Sequence, residues 1–159
     1  MIKERIRRVK RVYEKIKDEV LGDSYVRGVI KELKEKIAER RDLMIRSGMS
    51  DICRRCEKEE GGSCCGRGIE EKFDEALLFI NAILGCDIPE FREEERSCLF
   101  LGKDGCKLLV PHVICINYIC EKIERGVRKE DLSKLREIEG DFISLTFKLH
   151  EYIVKKWIF

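Results

Sequence analysis

The chain contains no Gln and only two Asn, Asn81 and Asn117, while 40% of its residues are charged. That shortage of labile amides, beside abundant Lys, Glu and Ile, resembles the thermophile bias toward ion pairs. No run of about 18 or more uncharged apolar residues occurs, so a membrane-spanning helix is not expected. The opening Met1-Ile2-Lys3-Glu4-Arg5 alternates charge where a signal peptide needs an apolar stretch, and a soluble, cytoplasmic protein is the expectation. The G-x-G-x-x-G, P-loop, G-x-S-x-G and H-E-x-x-H patterns are all missing. Familiar hydride, phosphoryl, acyl-transfer and zinc-protease chemistry therefore lacks its parts, and no catalytic residue is nominated.

What remains is mostly helical periodicity. At 159 residues the chain fits one domain with room for a real core. Ile2, Ile6, Val9, Val12, Ile16 and Val20 recur at steps of three and four, which predicts an amphipathic helix ending near Gly22. Asp23 and Ser24 can cap a second helix with the stripe Val26, Ile30, Leu33, Ile37 and Met44, stopped at Ser47-Gly48. Residues 1–48 thus read as an antiparallel helical hairpin. Phe73, Leu77, Ile80 and Leu84 predict a helix over 70–84 with Gly85 as its stop. The sequences Cys98-Leu99-Phe100-Leu101 and Cys106-Lys107-Leu108-Leu109 flank Gly102-Lys103-Asp104-Gly105, the pattern of a small hairpin near 98–109. Pro111 suits a first helical turn, and Val113 to Ile123 continue that helix to about Gly126. A last helix over 131–157 carries Leu132, Leu135, Ile138, Phe142, Leu145, Leu149, Ile153 and Trp157, with Gly140 its weak point. The fold class is all-α: a helical bundle with an inserted cysteine-rich metal-binding region over 51–120.

Residues 1–17 hold eight Lys or Arg against two Glu, whereas residues 70–96 hold nine acids against three bases. A charge-rich helix ordinarily presents a solvated face. The alternative is contact with nucleic acid or an acidic protein partner at the basic first helix.

Nine cysteines stand out against this background, and eight fall into two groups: Cys53, Cys56, Cys64 and Cys65, then Cys98, Cys106, Cys115 and Cys120. A reducing cytosol turns clustered thiols toward metal or redox chemistry, although hyperthermophile proteins also pair them as disulfides. Cys53 and Cys56 form a C-x-x-C, whose two thiolates can face one ion. The adjacent Cys64-Cys65 pair cannot serve one tetrahedral ion without distortion, so one sulfur is left for a second metal or stays free. Eight thiolates suit two four-cysteine zinc sites, a shared two-metal cluster, or a [4Fe-4S] cluster on four of them. Two Zn²⁺ with eight thiolates would leave a formal charge of −4; Arg54, Arg55, Lys58, Arg67, Lys103 and Lys107 lie near along the chain to offset it. The segment Asp51 to Gly68, with four glycines and no apolar period, is expected to be a loop ordered by the bound centre. Cys86 stands outside both groups as a small hydrophobe. His112 either contributes to the site or starts a helix beside it, and His150 reads as a half-buried helix residue.

The CxxC followed by CC, then Cys98 with apolar residues, Gly105-Cys106, and Pro111 to Cys115, resembles the YkgJ-like family of zinc- or iron-chelating cysteine-cluster proteins. The resemblance covers roughly Cys53 to Cys120. The Cys56–Cys64 gap is longer than in that family, Val110 replaces an arginine before Pro111, Ile116 replaces a basic residue, and Cys120 is an addition. The family resemblance implies chelation. Larger relatives with this signature are linked to protein lysine methylation, which makes a methylation-related enzyme a lower-ranked alternative.

Overall fold

The computed structural model describes residues 1–60 and 64–157, with side chains for all of these except 57–60. It is mostly helical: α1 (Ile2–Gly22), α2 (Ser24–Arg46), α3 (Met49–Glu60), α4 (Glu75–Ile83), α5 (Val113–Asn117), α6 (Glu121–Gly126) and α7 (Lys129–Trp157). One antiparallel hairpin joins β1 (Leu101–Gly102) to β2 (Gly105–Cys106), pairing Leu101 with Cys106 and Gly102 with Gly105. No described helix is long and apolar enough to cross a membrane.

The stripe of α1 buries Ile2, Ile6, Val9 and Val20, with Val12 and Ile16 packed beside them. Asp23 then does two jobs. One carboxylate oxygen caps α2 by accepting from the Val26 amide at 3.0 Å, while the other accepts from Lys156 Nζ at 2.5 Å and Tyr152 OH at 3.0 Å. Lys156 first, and the Val26 amide second, hold this carboxyl down at about 2. The start of α2 thereby meets the end of α7, and Arg40 late in α2 meets Glu139 early in α7 at 3.0 Å, so the two helices run antiparallel. Charge complementarity fastens α1 as well. Arg5 donates to the carbonyls of Glu71 and Phe73, Arg8 pairs with Glu75, and Lys10 pairs with Glu90 at 2.6 Å.

Helix α4 lies in the middle, with Ala76 to Asn81 and Ile83 all buried. A helix apolar all round belongs inside a core, and Leu78, Phe79 and Ile80 each contribute about 1.5–3 kcal/mol of transfer free energy there. Asp74 caps it through the Leu77 amide at 2.8 Å and also receives His150 at 2.7 Å. That hydrogen bond raises the His150 pKa, burial opposing it. Gly85, at φ +86°, ends this region in the left-handed conformation that suits glycine.

Three expectations are corrected. The 70–84 segment is a 3-10 turn (Ile69–Lys72), an extended buried Phe73, and then α4. Asp51 to Gly68 is not a loop throughout, because α3 runs to Glu60. Arg, Glu and Lys are good helix formers, and Met49, Ile52, Cys53 and Cys56 share one helical face once cysteine is counted as apolar. The helix expected from Val113 to Gly126 is two helices. Arg136 takes the carbonyls of Ile116 at 3.1 Å and Asn117 at 2.9 Å, satisfying the end of α5, and Cys120 in extended backbone starts α6.

Fully buried Asn81 ties the interior to the later segments. Its Nδ2 donates to the Leu77 and Val110 carbonyls, both at 3.0 Å, and its Oδ1 accepts from the Val110 amide at 2.9 Å. Replacing Asn81 by Leu strands both polar groups of buried Val110. The expected loss is about 2–4 kcal/mol of unfolding free energy, read by denaturant titration; Asn81→Asp, which keeps the acceptor and loses the donors, should also destabilise.

Candidate functional site

Cys53 and Cys56 lie one turn apart on α3, so their side chains share a face. This helix packs against α6 and the hairpin strand β2. The fit with α6 is close: a Cβ added at Gly126 would stand 2.7 Å from Ile52 Cδ1. Cys120 is the residue before α6, and Lys122 Nζ lies 3.8 Å from Cys56 Sγ.

Cys64 and Cys65 begin a stretch braced from the other side. The Cys98 amide donates to the Cys65 carbonyl at 2.7 Å, the Arg67 amide donates to the Arg96 carbonyl at 2.9 Å, and Gly66 bridges Ser97. Buried Glu70 locks the turn by accepting from the Gly68 amide at 2.9 Å and pairing with Arg92 at 2.5 Å. Gly68 has φ +103°, a conformation that a side chain would strain. Cys106 sits in β2, and the Lys107 amide returns to the Phe100 carbonyl at 2.8 Å. The Asn81 clamp on Val110 then aims Pro111, His112 and α5, which carries Cys115.

These placements bring thiols from both sequence groups into electrostatic reach of one another. Burial pushes Cys53 up to about 11, with repulsion from Cys64, Cys120 and Cys56 added; much of the residue is solvent-accessible, but its sulfur is crowded. Cys98, only 6% exposed, is pushed up to about 12 by burial, and Cys106 to about 11, each also repelled by Cys115. Cys115 is raised by burial and then by Cys64. Within the vicinal pair the Cys65 S–H hydrogen bond, helped by backbone amides, brings Cys64 down to about 6, while Cys65 itself is raised. Among the shifted thiols Cys64 is therefore the one most easily ionised.

Two of the cations closest in sequence are engaged elsewhere. Arg54 pairs with Asp51 and Asp104, and Lys107 with Glu93. Arg40, from α2, is instead the positive charge that eases ionisation of Cys53, Cys106 and Cys115. Its side chain is 13% exposed and held by Glu139, itself 2% exposed and shared with Arg136 at 2.9 Å. The sequence offers a faint signal for Arg40, since it and Arg41 follow the Ile37 position of an apolar stripe. Lys58 lies among the side chains outside the described residues.

His112 caps α5: its Nδ1 accepts from the Ile114 amide at 3.2 Å, and its ring meets Phe73 edge-on. That nitrogen is thereby occupied, in line with the helix-start role. Cys86 is nearer the site than its sequence position suggests. Its Sγ donates to the Lys107 carbonyl at 3.3 Å, beside Cys106. An open cleft of about 430 Å³ between Arg5, Arg8, Glu71 and Val154 contains no cysteine.

None of the nine cysteines, all of them described, is in a disulfide. Among the described residues no three Cys, His, Asp or Glu side chains converge closely enough to hold a metal ion. The donor chemistry suits a soft or borderline metal, but the sulfurs must draw together to ligate one.

The Cys64 environment has a direct consequence for reduced, metal-free protein. Lowering a thiol from 9.0 to about 6 raises its thiolate fraction at pH 7 roughly 90-fold, and the weaker base's lower nucleophilicity cuts the rate gain to roughly fourfold. Iodoacetamide followed by peptide mass spectrometry should therefore find exposed Cys64 alkylated first, with Cys98 and Cys106 last. Cys65→Ala should slow Cys64. No protein-family model, curated protein or solved structure matches the chain.

Proposed function

We propose that the chain is a metal-binding protein in which the cysteine-rich region at 51–120 holds zinc or an iron–sulfur centre. Its ligands come from Cys53, Cys56, Cys64, Cys65, Cys98, Cys106, Cys115 and Cys120. What supports this reading is that thiols of both sequence groups, from α3, the 64–65 turn, the hairpin region, α5 and the start of α6, lie in electrostatic reach of one another, with half-buried Arg40 and exposed Lys122 nearby. Burial, with neighbouring thiols added, raises Cys53, Cys98, Cys106 and Cys115 and disfavours the free thiolates, whereas a bound metal ion would stabilise them through bonds to sulfur. A reducing cytoplasm would keep them available.

Zinc fully ligated by sulfur would cross-link the segments without an open coordination position for hydrolysis; an iron–sulfur cluster would supply electron transfer or redox sensing. Metal and inorganic sulfide content of anaerobically purified protein distinguishes them. Cys56→Ser should lower metal content and thermal stability together. Protein that binds neither zinc nor iron when reduced would sink the proposal.

A second function is favoured by one observation. While Arg5, Arg8 and Lys10 form ion pairs with Glu71, Glu75 and Glu90, Lys3, Arg7, Arg11 and Lys15 are exposed at four-residue spacing on α1, Lys3 also over the Phe91 ring at 5.6 Å and both Lys3 and Arg7 in reach of Glu90. Such a stripe suits a nucleic-acid backbone or an acidic protein. Binding of single-stranded RNA or duplex DNA should then weaken steeply with salt and fall in Arg7→Glu/Arg11→Glu; no binding at low salt removes nucleic acid.

A further inference from the structure

The eight cysteines do not rest on one scaffold. Cys98 is part of the main hydrophobic core, and Cys65 and Cys106 pack against that same core. Main-chain bonds join them: Cys98 to Cys65, and the 98–101 segment to the strand that carries Cys106. Cys115 follows from the Asn81-clamped Val110. Cys120, by contrast, packs against a second and smaller core made of Leu43, Met49, Ile123, Val127, Leu135 and Ile138. Ile52 of α3 joins that core, so Cys53 and Cys56 are carried by it as well. Cys53 and Cys64 are exposed, whereas Cys98 is buried.

Adjacent residues cannot both serve one tetrahedral ion without distortion, so the vicinal pair naturally gives one sulfur to each side. Resting on the metal-binding function above, we propose that the centre is two unequal four-sulfur sites. Cys65, Cys98, Cys106 and Cys115 form an inner site on the main core, and Cys53, Cys56, Cys64 and Cys120 form an outer, exchangeable site on α3, the start of α6 and the 64–65 turn. The near neighbours of two members divide the same way, Cys53 lying close to Cys64, Cys120 and Cys56, and Cys98 to Cys106 and Cys115. The two sets meet at Cys64, beside Cys65 and within reach of Cys115. The outer site exchanges because opening it parts two helices over a small core, while opening the inner one breaks main-chain bonds and exposes Phe100 and Leu108, both buried in the main core.

The test loads reduced full-length protein with Zn²⁺ alone, counts bound zinc by native mass spectrometry, and follows its withdrawal by a chromogenic chelator. Two zinc ions per chain, leaving in a fast and a slow phase, are expected. Cys56→Ser and Cys120→Ser should each lose one ion and the fast phase, keeping the slow one; Cys106→Ser should lose the slow phase. Should Cys106→Ser fail to fold, the two outer variants still decide. One zinc in the wild type, one phase of withdrawal, or loss of both ions in Cys56→Ser would overturn the partition and leave metal binding standing. No zinc bound by the reduced chain would overturn the metal-binding function itself.

Discussion

The buried amide of Asn81 is the contact on which the site's placement depends. Its side chain serves both polar groups of Val110 in a place no water reaches, and it does so from α4, the helix most enclosed by the core. A buried polar group left unsatisfied costs about 1–3 kcal/mol, so the register between α4 and the segment leading to Cys115 has one acceptable setting. Of the two side-chain amides in the chain, one is kept where it specifies geometry.

Charge is organised by the same logic of pairing at a distance. The basic start of α1 and the acidic stretch after Gly68 are separate features of the sequence and largely one feature of the fold, since Arg5, Arg8 and Lys10 find Glu71, Glu75 and Glu90. Deeper in, Arg40, Glu139 and Arg136 form a chain of charges from α2 through α7 to the carbonyls ending α5. Buried ion pairs contribute little net stability, but breaking one leaves an uncompensated charge. Here the arrangement also sets a guanidinium in electrostatic reach of Cys53, Cys106 and Cys115.

Much of the helical architecture was legible because long apolar stripes have a strong period. The stripes of α1, α2 and α7 and the glycine-marked hairpin all stand where the spacing places them. Helix α3 was hidden because two of its four face-forming positions are cysteines, which look like ligands before they look like apolar residues. The break between α5 and α6 was hidden because the apolar pattern runs on through it. The distant Arg136 satisfies the carbonyls at this gap. For the candidate site, the eight cysteines could be nominated from spacing, but Arg40, Lys122 and the nearness of Cys86 could not.

Helical class, the hairpin and the candidate thiols follow from local properties of the chain: apolar periodicity, turn glycines and residue chemistry. Tertiary structure decided which sulfurs share a core, which cations face them, and that His112 caps a helix with its Nδ1. Those outcomes depend on contacts between residues tens of positions apart, where packing and the need to satisfy buried polar groups override local preference.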